Sequence, residues 1–207
     1  MTGADSSRFR EVLDVSRETV LALERLSELL QKWTAKINLI SATTVEELWT
    51  RHFLDSAQLW RLAPHRWHWV DLGSGGGLPG LVLAVLGRDT ADFSITLVES
   101  DQRKSTFLRA AAREKRLDVR VLSHRIEHAD PLQADVVTAR ALAPLTKLLG
   151  FGEQHLSPNG IALFPKGEKA DAEVAEALED WRFRCEKHQS MTDANSTILS
   201  IGEISRV

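Results

Sequence analysis

The stretch "VDLGSGGGLPG" (residues 70–80) puts five glycines into the eight positions from Gly73 to Gly80, directly behind an apolar-aromatic run. Glycine accepts positive φ and carries no Cβ, so a sharp strand-to-helix turn made of it brings bare backbone against a ligand. Gly73, Gly75 and Gly77 form a G-x-G-x-G pattern, and Pro79 suits the first turn of a following helix, where its missing N–H costs nothing. A dinucleotide fold prefers G-x-G-x-x-G, whose third glycine packs helix closely on strand, and here that sixth position is Leu78. A P-loop fits less well, because no Gly-Lys-Ser/Thr follows.

Working outward from this turn, apolar runs alternate with helical segments from Trp67 onward. Strands are predicted at 67–72, 94–99, 119–123, 135–139, 161–165, 183–189 and 196–204, and helices over 78–87, 101–116, 144–155 and 168–179. Strands that alternate with helices need crossover connections, which imply a mostly parallel sheet covered on both faces. The last two strands have no helix between them, so a hairpin with one antiparallel strand is expected. Glu99 closes the second strand 26 positions after Gly73. At the carboxyl edge of a doubly wound sheet it either accepts from two ribose hydroxyls or caps the helix that begins near Asp101. Glycine turn and acid at this spacing describe an adenosine pocket, with no need for a pyrophosphate.

Residues 1–66 read as a helical extension packed on a core domain of residues 67–207. Leu26, Leu29, Leu30 and Trp33 follow the spacing of one buried helix face. A second helix is predicted from Thr44, where Thr44 and Glu47 make a capping-box pattern. Trp33, Trp49 and Trp60 stand at helical spacing with aliphatics and are read as core. Arg51, His52, Arg61, His65, Arg66 and Trp67 form a basic cluster with an aromatic, suited to phosphates and a stacked base.

Bulk properties narrow the classes. A chain of 207 residues, 43% hydrophobic and 27% charged, holds one sizeable α/β domain plus a small appendage. The longest apolar stretch, Leu78 to Leu86, is broken by Pro79 and Gly80 and falls short of the ~20 residues of a membrane span. The first ten residues carry no apolar leader segment, so the cytoplasm is expected. A lone Cys185 forms no internal disulfide and is read as a small core residue. With net charge −3 the whole chain is no polycation, so any nucleic-acid contact must come from a local patch. His124 and His128 stand four apart, yet no third ligand has informative spacing, and no metal is expected.

"VDLGSGGGLPG", preceded by "RHFLDS" and followed by "TARALAPL" and "FPKG", resembles the bacterial 16S rRNA guanine-N7 methyltransferases of the RsmG (GidB) family, from "NLIS" at Asn38 through Gly167. The resemblance implies a seven-stranded class I methyltransferase fold, Rossmann-like, with a helical N-terminal extension and S-adenosylmethionine as methyl donor. It further implies 16S rRNA of the small ribosomal subunit as partner, with the guanine at position 527 as target, and a monomer is expected. By position, Gly73 and Leu78 fall on family cofactor contacts, Ile126 and Glu127 on the pair near the adenine, Arg140 on the arginine after the fourth strand, and Lys166 on the lysine of the "KG" turn. Arg51, His52, Asp55 and Ser56 match the family's "RHxxDS" block. Gly76 and Ser74 depart from the proline and threonine common in the family, and "KINLIS" from its usual "NLT".

Methyl transfer to guanine N7 uses a lone pair that bears no proton at neutral pH, so no general base is required and alignment carries the catalysis. Pyrimidine C5 transfer needs a cysteine nucleophile, and Cys185 sits in a late strand away from the expected site. Adenine N6 transfer goes with an Asn/Asp-Pro-Pro-aromatic turn after the fourth strand, where this chain has "ARALAP". Arg140 either grips a carboxylate or phosphate through its planar fork or pairs with Asp135 or another acid. Lys166 either supplies charge for RNA or is solvated. An NAD(P) oxidoreductase and a non-catalytic ribosome-binding module remain the alternatives.

Overall fold

The computed structural model describes residues 3–63 and 67–207. Pro64, His65 and Arg66 lie outside them, and so does that part of the basic cluster. Helices α1 (Gly3–Leu13), α2 (Arg17–Ile37) and α3 (Asp55–Leu62) form the extension. The core then runs β1 (His68–Leu72), α4 (Gly80–Gly87), β2 (Ser94–Val98), α5 (Gln102–Lys115), β3 (Val119–Leu122) and β4 (Ala134–Thr138). It ends with α6 (Leu145–His155), β5 (Leu156–Lys166), α7 (Ala170–Ala177), β6 (Trp181–Gln189) and β7 (Thr197–Arg206).

The seven strands lie in the order β3-β2-β1-β4-β5-β7-β6, with β7 antiparallel to both neighbours and the rest parallel. The expected hairpin is present, and its returning strand is inserted between β5 and β6. Chain direction of growth reverses between β1 and β4, which opens a crevice at their carboxyl ends. The glycine turn leaves β1 at that crevice.

One face of the sheet and the extension share a single apolar cluster, in which Leu23, Leu26 and Leu30 of α2 meet Leu81 of α4, Phe107 of α5 and Trp69 of β1. The leucine stripe of α2 is therefore buried as its period requires. Trp49 is buried there too, and Trp33 and Trp60 pack against the cluster, as expected of core tryptophans. The other face buries Leu145, Leu148 and Leu149 of α6 on Val137 and Phe164. Cys185 is half-buried on β6, and burial pushes its thiol pKa up.

Two local expectations differ. No capping box forms at Thr44: a short 3-10 turn spans Ala42–Thr44, and residues Leu48–Leu54 wind as a π-helix before α3. Thr44 Oγ1 donates to the Ser41 carbonyl at 3.0 Å and lies 2.9 Å from His52 Nε2, so the tertiary partner takes the hydroxyl that a cap would have used. The expected basic cluster also divides. Arg51 and His52 sit at the crevice, whereas Trp67 precedes β1 at the opposite, amino edge of the sheet and is 49% exposed.

The dinucleotide pattern's missing third glycine has substitutes. A Cβ on Gly77 would stand 2.4 Å from Leu81 Cδ1, and one on Gly80 would stand 2.3 Å from Leu97 Cδ2 and 2.7 Å from Asp71 Oδ2. Gly80 opens α4 against β1 and β2, which is the close-packing role expected two positions earlier. Gly80→Ala should therefore lower stability by about 1–3 kcal/mol through overpacking. Gly167→Ala, with nothing within 4 Å of the new methyl, should stay within about 0.5 kcal/mol of the parent; thermal unfolding of the two variants makes the comparison.

Candidate active site

Gly73, Gly75 and Gly77 have φ of +65°, +54° and +78°, the left-handed region that residues with a Cβ rarely adopt. The turn they form is tied to its neighbour strand. Gly73 and Ser74 donate to the Val98 carbonyl at 2.9 and 3.1 Å, and Gly75 donates to Glu99 Oε2 at 2.8 Å. Glu99 Oε1 accepts the Asp101 N–H at 2.7 Å. Glu99 thus braces turn and helix start together, while Asp101 itself caps α5, accepting from Arg103 and Lys104 N–H groups.

Two cavities open on the turn. A cleft of about 250 Å3 is lined by Gly73, Gly75, Glu99, Ile126 and Glu127, with Lys147 at its rim. A larger cavity of about 1020 Å3 is lined by the turn, Leu78, Arg140 and Lys166 on the core side and by Arg51, His52 and Asp55 from the extension. Gly77 and Ser56 line neither: Gly77 faces Leu81, and the buried Ser56 donates to the His52 carbonyl at 2.6 Å. Glu127 is half-exposed and pairs with Lys147 at 3.3 Å. Ile126 is held by the buried His155, whose Nε2 lies 3.2 Å from its carbonyl.

Arg140 is paired with an acid, but Asp55 rather than Asp135. Its Nη1 donates to Asp55 Oδ2 at 3.2 Å and its Nη2 to His52 Nδ1 at 3.1 Å. Asp135 accepts from the Trp67 and His68 amides at the far edge instead. Because guanidinium has only donors, His52 Nδ1 must accept, which leaves its proton on Nε2 to donate to Thr44 Oγ1. Burial, then Arg140 and Arg51, push the His52 pKa down to about 4, so the ring is neutral near pH 7. Lys166 is not solvated. Its Nζ donates to Glu173 Oε2 at 2.7 Å and to the Ala143 carbonyl at 2.9 Å. Glu173 Oε2 also accepts the Leu145 N–H at the start of α6, at 2.7 Å.

Asp71 is the residue that sequence reasoning passed over. It is 1% exposed; its Oδ2 accepts the Gly80 N–H and its Oδ1 the Thr138 hydroxyl, each at 3.1 Å. An acid inside an otherwise apolar strand was the available signal. Gln58 was equally silent: buried on α3, it donates to Ser190 Oγ and accepts the Met191 N–H, which ties the extension to the β6–β7 connection. Among the described residues no three His, Cys, Asp or Glu side chains gather as a metal site, and no helix is long and apolar enough to cross a membrane.

A seven-stranded sheet of this order, with a glycine turn at its switch point and an acid on the adjacent strand, defines the class I methyltransferase fold. Solved structures agree at the level of fold. M. jannaschii TYW2 in complex with AdoMet superposes with TM-score 0.56 at 14% identity, over 84% of this chain and 80% of that one. A variant of MtNAS in complex with S-adenosylmethionine gives TM-score 0.59 at 14% identity, over 94% and 82%. Within that class, residues 20–201 match the family described as rRNA small subunit methyltransferase G, and the chain belongs to that family. Its relatives of that name include one from Ruegeria sp. (strain TM1040), 51% identical over 94% of this chain and 96% of its own length. Another, from Cereibacter sphaeroides (strain ATCC 17025), is 48% identical over 98% and 99%.

Burial raises the Asp71 pKa from 3.8 to about 6, against the opposing hydrogen bonds of its hydroxyl and amide donors. The protonated carboxyl therefore stabilises the fold fully below the unfolded value, and this contribution, about 3 kcal/mol, is lost as pH rises through the folded value. Asp71→Asn keeps an acceptor for Gly80 and removes the titration. Its stability relative to the parent should improve by up to about 3 kcal/mol between roughly pH 4 and pH 7.5 in urea unfolding; a constant difference would show that Asp71 does not titrate with folding.

Proposed function

We propose that this protein transfers a methyl group from S-adenosylmethionine to N7 of a guanine in 16S rRNA of the small ribosomal subunit, acting as a cytoplasmic monomer. Family membership supports the reaction class and the RNA, and the guanine follows the resemblance of the "RHFLDS", "GLPG" and "TARALAPL" blocks. One observation supports the cofactor reading above the others: the positive-φ glycines Gly73 and Gly75 present bare backbone to both cavities beside Glu99, and a Cβ on Gly75 would meet no atom nearer than 3.8 Å, so it would project into the space left for a ligand. The alternatives, an NAD(P) oxidoreductase or a non-catalytic ribosome-binding module, are not favoured, since these relatives are named as rRNA methyltransferases.

The donor supplies an electrophilic methyl on a sulfonium. Each Glu99 oxygen accepts one amide proton and retains a lone pair that would accept from ribose hydroxyls. Ile126 offers an apolar face for adenine at the cleft wall. Guanine N7 has no proton to lose, so the larger cavity need only exclude water and hold the base in line with the methyl. Arg51, 61% exposed at that cavity's edge, is placed to meet a phosphate. Arg140 and Lys166 shape the cavity wall through their ion pairs with Asp55 and Glu173.

Gly73→Asp should abolish S-adenosylmethionine binding in calorimetry, because its Cβ would stand 2.6 Å from Leu142 Cδ1 at a left-handed φ and so displace the wall that both cavities share; undiminished binding would place the donor elsewhere. Mapping 7-methylguanine in 16S rRNA from cells with and without the gene should show one guanine whose modification is lost. An unchanged map removes the proposed activity.

A further inference from the structure

The cleft and the larger cavity share four lining residues, Gly73, Gly75, Leu142 and Ala143. Leu142 is the one among them with a side chain larger than a methyl, and its isobutyl group rests on Gly73, where both methyl carbons lie 2.6 and 3.3 Å from the position of a Cβ. The segment that carries it is pinned on both sides. Arg140 is fastened to Asp55 and His52 of the extension, while Lys166 holds the Ala143 carbonyl and Glu173 the Leu145 amide. Between these anchors Ala141 takes a left-handed φ of +51°, which folds the chain so that Leu142 faces the glycine turn.

Volume decides what this partition does. A cleft of about 250 Å3 lies below the roughly 300–1,000 Å3 usual for small-molecule and cofactor pockets, so a donor whose nucleoside sits there would extend beyond it. The amino-acid limb must pass Leu142 to enter the larger cavity. We propose that Leu142 is a specificity-determining residue, the partition across which the methyl donor is threaded, and that the ion pairs of Arg140 and Lys166 serve to hold it over Gly73. This assignment rests on the methyl-donor reading given above. It gives Arg140 and Lys166 positioning roles in place of direct contact with substrate.

The test compares S-adenosylmethionine with 5′-methylthioadenosine, which has the nucleoside and sulfur but lacks the amino-acid limb. In Leu142→Trp, calorimetry should find methylthioadenosine bound within about threefold of the parent and S-adenosylmethionine weakened at least about tenfold. In Leu142→Ala, stopped-flow association of S-adenosylmethionine should quicken by about threefold or more, since no side chain has to move aside. Methylthioadenosine binding doubles as the check on folding, and Leu142→Phe replaces the tryptophan variant if that one does not fold. Equal loss of both ligands, or loss of neither, overturns the partition. Parent protein that binds neither ligand would sink the methyl-donor reading, and the partition with it.

Discussion

The carboxyl group of Asp71, sealed inside the central strand, takes the Gly80 amide and the Thr138 hydroxyl together and so joins β1, the start of α4 and the end of β4 at one point. Those are the elements that flank the crevice. Burying an acid is costly, which is visible in its raised pKa, and the cost is offset only while both donors are in place. Gly80 has no Cβ because Asp71 and Leu97 already occupy that space. The bare turn from Gly73 to Gly77 is therefore held at both ends, by this acid behind it and by Glu99 beside it.

The extension lines the larger cavity as well as covering the core. The π-helical segment Leu48–Leu54 and the first turn of α3 present His52 and Asp55 to Arg140, and Asp55 Oδ1 also accepts from Thr192 Oγ1 in the β6–β7 connection at 3.1 Å. One carboxylate thus links three separate parts of the chain around the larger cavity. Its side chain is 17% exposed and that of Arg140 19%, so the pair is more than a solvated surface contact and removal of one partner would strand the other. Neutral His52 accepts from Arg140 at no cost in like-charge repulsion.

Much of the fold was legible because its signals are local. Strand and helix positions followed from apolar periods, and the crossover pattern required a parallel sheet. Glu99 stands out from its distance to the turn, and the structure has it accept the Asp101 amide just before α5 and line the smaller cleft. Arg140 and Lys166 stand out in the sequence and both line the larger cavity, but their partners are not legible there, since Asp55 lies 85 positions from Arg140 and the links run through the fold. The Thr44 cap failed for the same reason: a hydroxyl with two available uses took the one offered by His52.

The sequence by itself determined the alternation of strands and helices, the bare turn after β1 and the acid that follows it, because backbone conformation and apolar period are properties of neighbouring residues. Only the tertiary structure decided that β7 enters between β5 and β6, that Arg51 and His52 sit at the crevice while Trp67 stands at the opposite edge of the sheet, and that Leu142 rests on Gly73. Each of these depends on which distant side chains fill a given space or satisfy a given buried charge, and packing of that kind leaves no periodic mark in the chain.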